Sequence, residues 1–469
     1  MPRTAILNVV GLTPRHLGPD MPFLRQFLAR EETKLVHVTP LLPAVTSTMQ
    51  ATYLTGEAPG GHGIVGNMWY DRDYAEHRCW KQSNHLVKGR KIWETLREED
   101  PAYTCAKVFW WNNLYSSADY QITPRPIYRA DGKKLFDVQT WPMELRKKIR
   151  RRLGKFPFPA FWGPASGIES SRWIAQSAKW FEDQFSPNLN LVYLPHLDYN
   201  LQRIGPESPK ISDDLQAIDQ VVEDLVNHLE PRGVRVVVLS EYGITQVDRA
   251  IHLNRVFREK GWIVWRDELG SEMIDLGNCR AFAIPDHQVA HVYVNDPAIL
   301  DEVAETLRQT EGVAAVHDRA AQKALGLAHE RTGDLVAVSD ERSWFTYYWW
   351  KSDRKAPDYA RCVDIHRKPG YDPVELFLDP KIRFPKLAVG RRLLKKALGF
   401  RMLMNVIPLD ASLVKGSHGC IPHDRDDHPV LIGAFPGLEN GATLAATEAH
   451  GHLLALCRGG GWSPVTRDP

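Results

Sequence analysis

Three short, nearly continuous apolar runs, at residues 5–10, 189–194 and 234–239, constrain the fold more than any other feature of this chain. Apolar runs of this length without alternation suit parallel strands covered on both faces. Between the second and third runs, Leu215, Ile218, Val221, Val222, Leu225 and Leu229 recur at helical spacing. Strand, helix and strand in that order build a doubly wound sheet, and ligands of such sheets sit beyond the carboxyl ends of the strands. Gly11, Asp198 and Glu241 fall at those ends. With 469 residues and 43% hydrophobic content the core is large, and length alone would allow two or three domains. Because the informative segments run from start to end, the expectation is one α/β domain over 1–469. It has a mainly parallel central sheet with helices on both faces. Two stretches read as insertions or lids: 120–165, irregular and rich in Pro and aromatics, and 340–410, which carries Trp344, Trp349 and Trp350.

Residues 43–67 concentrate polar chemistry. Thr46, Ser47 and Thr48 precede a short helical run that stops at Gly56, and a loop closed by His62 and Asn67 follows. A hydroxyl at a helix start caps free backbone N–H groups and sits in positive potential. An anion attacked by that hydroxyl would be held by the same groups. Locally, an N-cap and a nucleophile are both consistent with the pattern.

The wider pattern resembles the alkaline phosphatase superfamily, in its nucleotide pyrophosphatase/phosphodiesterase branch. The resemblance rests on Thr55-Gly56, His62-Gly63-Ile64-Val65-Gly66-Asn67, Tyr193 onward, Leu239-Ser240-Glu241-Tyr242-Gly243, Gly333-Asp334-Leu335-Val336 and Gly416-Ser417-His418-Gly419, in family order. It implies Thr46 as nucleophile, in a register set by Thr55-Gly56, with Ser47 and Thr48 as rivals. It implies substrate contacts at His62 and Asn67, and metal positions at Asp198, Glu241 and His418. The superfamily mechanism uses two divalent ions about 4 Å apart. Carboxylate and imidazole ligands suit zinc, in one or two ions, with manganese as the other candidate.

The chain departs from that pattern. Val10 stands where relatives carry Asp, Gln202 where they carry His, Glu241-Tyr242 where they carry Asp-His, and Met49 where they carry Asn. The standard two-zinc site is therefore not encoded intact. Gln202 and Tyr242 themselves, Asp286, His287, His291, Asp364 and His366 are the further candidates for metal or substrate contact. The flanking Val289, Val292, Tyr293 and Val294 argue for a strand, on which His287 and His291 would share a face.

The expected activity is metal-dependent hydrolysis of a small phosphorylated substrate, a phosphodiester or pyrophosphate. Two alternatives stay open: a weak or inactive relative that binds a phosphorylated ligand or partner, and a phosphotransferase or mutase working through phosphothreonine. A net charge of +2 and the lack of a groove-reading motif argue against nucleic acid. Basic runs at 144–155 and 391–401 read as solvated helix faces or as contacts to an acidic surface or membrane. Six isolated Cys, no leader-like start and no transmembrane-length apolar run give a cytoplasmic expectation.

Overall fold

The computed structural model describes residues 1–131 and 133–460; residue 132, within the expected 120–165 insertion, and residues 461–469, the end of the expected 1–469 unit, lie outside it. A nine-stranded sheet forms its centre. The strand order is Thr443–Ala445, Thr33–Thr39, Val430–Ala434, Val234–Leu239, Arg3–Val9, Leu189–Leu194, Cys105–Val108, Tyr120–Pro124, Val138–Trp141. All run in one direction except Val430–Ala434 and Val138–Trp141. The three apolar runs are neighbours at its middle. Arg3–Val9 pairs with Leu189–Leu194 on one side and Val234–Leu239 on the other, so the helices between those two strands return the chain past the first strand.

Each central strand feeds two cores because side chains alternate faces along a strand. Ala5, Leu7 and Val9, with Val234, Val236 and Val238, pack against the helices Pro22–Leu28, Ile168–Phe185 and Ile211–Leu229. Ile6, Val237 and Leu239 pack on the other face against Thr46–Thr55, Ile92–Glu99 and Ala446–Arg458. Helices thus cover both faces, as the unalternating apolar runs require. Among the described residues no helix is long and apolar enough to cross a membrane.

Two features differ from the sequence reading. The 120–165 stretch is not irregular throughout: Tyr120–Pro124 and Val138–Trp141 extend the central sheet, and Leu145–Leu153 is helical. A separate four-stranded antiparallel sheet was also not foreseen. It places Ala281–Asp286, Val289–Val294, Leu335–Ser339 and Val313–His317 side by side over a second core. The 340–410 stretch packs Trp344, Trp349, Trp350 and Tyr371 into that core. It is held by a buried ion triad in which Lys368 Nζ lies 2.7 Å from both Asp372 and Glu375.

Candidate active site

The central strands end at one edge of the sheet, and the loops beyond them carry the site. Leu189–Leu194 runs into the helix His196–Ile204, which holds Asp198 in its first turn. Val234–Leu239 runs into Ser240, Glu241 and Tyr242. Thr46 is the first residue of the helix Thr46–Thr55, and Gly56 ends that helix in the left-handed conformation at φ 72°. The expected hydroxyl cap is absent: the N-cap position is Val45, and the Thr46 and Thr48 hydroxyls turn to other partners. Thr48 Oγ1 donates to the Ile64 carbonyl. The free Ser47 N–H donates instead to Asn67 Oδ1 at 3.0 Å, so Asn67 supplies the cap.

Thr46, buried at the helix start, has its Oγ1 3.3 Å from the Tyr242 hydroxyl. Tyr242 OH donates to Asp198 Oδ1 at 3.1 Å. Gln202 Nε2 donates to the other carboxylate oxygen at 2.7 Å, and Gln202 Oε1 accepts from Tyr371 OH. Gln202 and Tyr242 thus both bond Asp198. Glu241 Oε1 accepts from Asn8 and Gln50, while its Oε2 has no hydrogen-bond partner among the described residues.

A column of four rings stands beside these groups. Tyr242 stacks on His418 at 3.5 Å between centroids, His418 lies 3.7 Å from His287, and His287 lies 3.6 Å from Tyr371. His418 is anchored by Nδ1 to the Ala44 carbonyl at 2.8 Å and reaches Asp198 with Nε2 at 3.9 Å. His287 occupies the two-residue turn between Asp286 and Val289 with φ +63°, a conformation rarely adopted by residues other than Gly. Its Nδ1 bonds Asp286 at 2.8 Å, and its buried Nε2 lacks a partner among the described residues. Buried polar atoms without partners are rare enough to mark where a polar ligand group would sit.

The other candidates lie elsewhere. His291 is on the following strand, bonded to the Val65 carbonyl, and does not share a face with His287, because the turn interrupts the strand that was expected to carry both. Asp286 accepts from the backbone and side chain of Asn67, which commits the Asn67 amide to the scaffold. His62 is enclosed behind the helix between Thr52 Oγ1 and the Ile64 N–H, and burial holds it neutral, with its pKa down at about 3. His366 bonds the Cys79 carbonyl and lines the cavity wall, and the Asp364 N–H donates to Glu375.

Over the site opens a cavity of about 1590 Å³, lined by Thr46, Asp198, Tyr242 and His287 on one side. Trp80, Trp111, Phe158, Phe161 and Trp162 make much of the remaining wall. Asn8, Gln50 and Tyr371 were not foreseen as site residues. Asn8 carried a usable signal, since a polar side chain inside an apolar strand run is the informative exception. Gln50 and Tyr371 join through bonds to residues far off in the chain, which no local pattern reveals.

Divalent-metal dependence, implied by the resemblance, needs converging anionic or lone-pair donors. Val10 offers none. Burial keeps the Tyr242 phenol protonated, well above its usual value, and its proton is spent on Asp198. Both Asp198 oxygens are already taken by Tyr242 and Gln202. Among the described residues no three Asp, Glu, His or Cys side chains converge as an ion requires. The donor set does not fit a two-ion centre.

Burial also controls the carboxylates. It raises Asp198 to about 7, outweighing the hydrogen bonds from Tyr242 and Gln202, and it raises Glu241 to about 8. In the unfolded chain both ionise near pH 4. Between about pH 4 and 8 the folded state therefore holds protons that the unfolded state has released, and stability falls as pH rises through that window. Each group contributes at most about 1.4 kcal/mol per pH unit, and the loss levels off above the folded values. Melting temperatures should drop from pH 5 to pH 8, and Glu241→Gln should flatten that drop. An unchanged slope in the variant would mean that Glu241 is ionised in the folded protein across the window.

The comparisons with known proteins agree with this architecture. The sequence matches the family model described as type I phosphodiesterase / nucleotide pyrophosphatase over residues 4–372. It is 27% identical over 259 residues to an uncharacterized pyrophosphatase/phosphodiesterase of Schizosaccharomyces pombe, covering 53% of this chain and 44% of that one. It is 21% identical over 486 aligned residues to ectonucleotide pyrophosphatase/phosphodiesterase 1 of Saccharomyces cerevisiae, covering 97% of this chain and 56% of that one. The chain thus spans about half the length of the curated relatives it matches. An inactive variant of murine ectonucleotide pyrophosphatase/phosphodiesterase 5 in complex with AMP superposes with a TM-score of 0.59, at 15% identity over 99% of this chain and 96% of that one. Phosphonoacetate hydrolase of Sinorhizobium meliloti in complex with phosphonoformate gives 0.61, at 16% identity over 97% and 96%. At such identities the likeness is one of fold, and the alkaline phosphatase-like α/β expectation stands.

Proposed function

Since the chain belongs to the type I phosphodiesterase / nucleotide pyrophosphatase family, we propose that it hydrolyses a phosphate ester whose remaining part is large and apolar, with Thr46 as nucleophile. One observation carries the reading. The Thr46 hydroxyl opens into the apolar cavity and is linked through Tyr242 OH to Asp198. Attack of Oγ1 on phosphorus forms the threonyl ester and expels the substrate alkoxide. The threonyl proton passes to the Tyr242 oxygen as the Tyr242 proton passes to Asp198. The same relay, run backwards, protonates the alkoxide and restores the Asp198 carboxylate. In the second half water attacks phosphorus in the threonyl ester, which with a diester still carries the second alkoxy group. The water proton is taken by the relay, Thr46 recovers a proton as it leaves, and the phosphate or phosphomonoester is released. No step uses a metal ion, because the donor set does not fit one.

A second reading, binding of a phosphorylated ligand without turnover, is favoured by the replaced ligand positions Val10, Gln202 and Tyr242. A panel of p-nitrophenyl phosphate mono- and diesters with alkyl chains from methyl to dodecyl separates the two. Each buried methylene is worth about 0.8 kcal/mol. The hydrolase reading therefore expects diester kcat/KM to rise at least tenfold from the shortest chain to the longest. Absence of turnover with every ester, alongside saturable binding of the long-chain ones, removes it in favour of the second.

A further inference from the structure

Two segments that line the same cavity form one basic and apolar surface that the proposed chemistry does not use. The first is the helix Pro385–Ala397 and the residues after it, none of the helix being buried. Leu387, Leu394 and Leu398 are spaced to share one helical face and are 70%, 60% and 66% exposed. Phe384 and Phe400 are exposed beside them. Residues 381–401 carry eight Lys and Arg and no Asp or Glu, and among the described residues no ion pair holds Arg391, Lys395, Lys396 or Arg401. The opposite face of the same helix, with Val389 and Leu393, lines the cavity.

The second segment is the hairpin Ile127–Tyr128 with Lys134–Leu135 and the chain that follows it. Tyr128, Phe136 and Met143 line the cavity and are largely exposed. The helix Leu145–Leu153 next in sequence adds the basic run, of which, among the described residues, Arg146 and Arg150 pair with Asp137. The chain as a whole has a net charge of only +2, so cations are concentrated at this surface rather than spread.

We propose that this surface docks on an anionic lipid bilayer, with the Leu387, Leu394 and Leu398 face and the Tyr128–Phe136 tip entering the headgroup boundary. Exposed leucines flanked by unpaired cations are the composition of helices that lie in the membrane interface. Each Lys or Arg held near an anionic surface strengthens the binding. A second copy of the chain is a poor occupant, because two such surfaces repel. Docking would set the cavity mouth against the bilayer and give an apolar path from lipid to Thr46. The surface itself stands independently of the chemistry proposed above.

Co-flotation of the full chain with vesicles tests it. Vesicles of phosphatidylcholine alone are compared with vesicles containing about one third phosphatidylserine. The anionic vesicles should hold at least tenfold more protein, and added salt should release it. Arg391→Glu with Lys395→Glu, the cations flanking the leucine face, should lower binding roughly tenfold or more. Leu387→Glu, Leu394→Glu and Leu398→Glu together should abolish it, with an unchanged melting temperature because these side chains are solvent-facing. Equal binding to both vesicle types, or parent-like binding by the leucine variant, overturns the proposal. So does a concentration-dependent dimer that the leucine variant loses while vesicles bind neither protein, which assigns the face to a second copy. Thr46→Ala should float like the parent, so a failure of the hydrolase reading and a failure of the docking surface are read in separate assays.

Discussion

Replacing Thr46 by Ala should lower turnover of the best phosphodiester by three orders of magnitude or more while leaving the fold in place. In the proposed reaction the Thr46 hydroxyl supplies the atom that bonds phosphorus, and no neighbouring hydroxyl is placed to take over. Ser47 and Thr48 are its neighbours in sequence, but the Thr48 hydroxyl is committed to the Ile64 carbonyl, and among the three residues only Thr46 lines the cavity. The stability cost should be small. Thr46 is not the N-cap, and the helix start is held by Asn67 on the Ser47 N–H. The change removes a hydroxyl bonded to Tyr242 and one methyl group, together worth about 1–2 kcal/mol. Tyr242→Phe separates the relay from simple packing: it keeps the stack on His418 but removes the bridge to Asp198. It should slow turnover by about a hundredfold or more, since a positioned proton-transfer group is worth roughly 10²–10⁴-fold. Parent-like activity in Thr46→Ala, with loss in Ser47→Ala or Thr48→Ala, would move the nucleophile to the rival residue.

The second large effect concerns Lys368. Its ammonium is fully buried between Asp372 and Glu375. Glu375 also accepts from Trp162 Nε1 at 2.6 Å and from the Asp364 N–H at 2.8 Å, so the triad ties two walls of the cavity together. Lys368→Met removes the only cation of the triad and leaves two carboxylates buried close together. Breaking a buried pair from one side costs about 3–5 kcal/mol. Urea unfolding should show that loss. The damage should reach the site, because Tyr371 between the triad members carries the ring on which His287 stacks and the hydroxyl that orients Gln202. KM for long-chain esters should rise together with the loss of stability. A variant less than 1 kcal/mol destabilised would show that the triad contributes little, with one carboxylate protonated to relieve the strain.

The fold was legible where burial leaves a one-dimensional trace. The runs at 5–10, 189–194 and 234–239 are apolar on both faces because helices cover both, and they are three adjacent central strands. Their order was not legible, since adjacency depends on how helices return the chain rather than on any strand's composition. Val289–Val294 read as a strand, but the four-stranded antiparallel sheet escaped because Pro285, Asp286, Gln288 and His291 break the apolar run and the pairing of Ala281–Asp286, Val289–Val294, Leu335–Ser339 and Val313–His317 leaves no local trace. At the site, Thr46, Asp198, Tyr242 and His418 were located by the resemblance of their motifs to the family's, and the structure places them at strand and helix ends. What they touch did not. That Tyr242 would bridge Thr46 and Asp198, that His287 would turn into the ring column through a positive φ, and that Asn67 would cap the helix all depend on contacts across the chain.

The most direct test of the account is to quench the chelator-treated protein with acid during turnover of its best diester and to locate covalent phosphate by peptide mass spectrometry. The account predicts a phosphoryl group on Thr46 still bearing the substrate's second alkoxy group, formed at an undiminished rate after chelation and absent from Thr46→Ala. Turnover that vanishes on chelation and returns with zinc or manganese, or phosphate found on a residue other than Thr46, would contradict it.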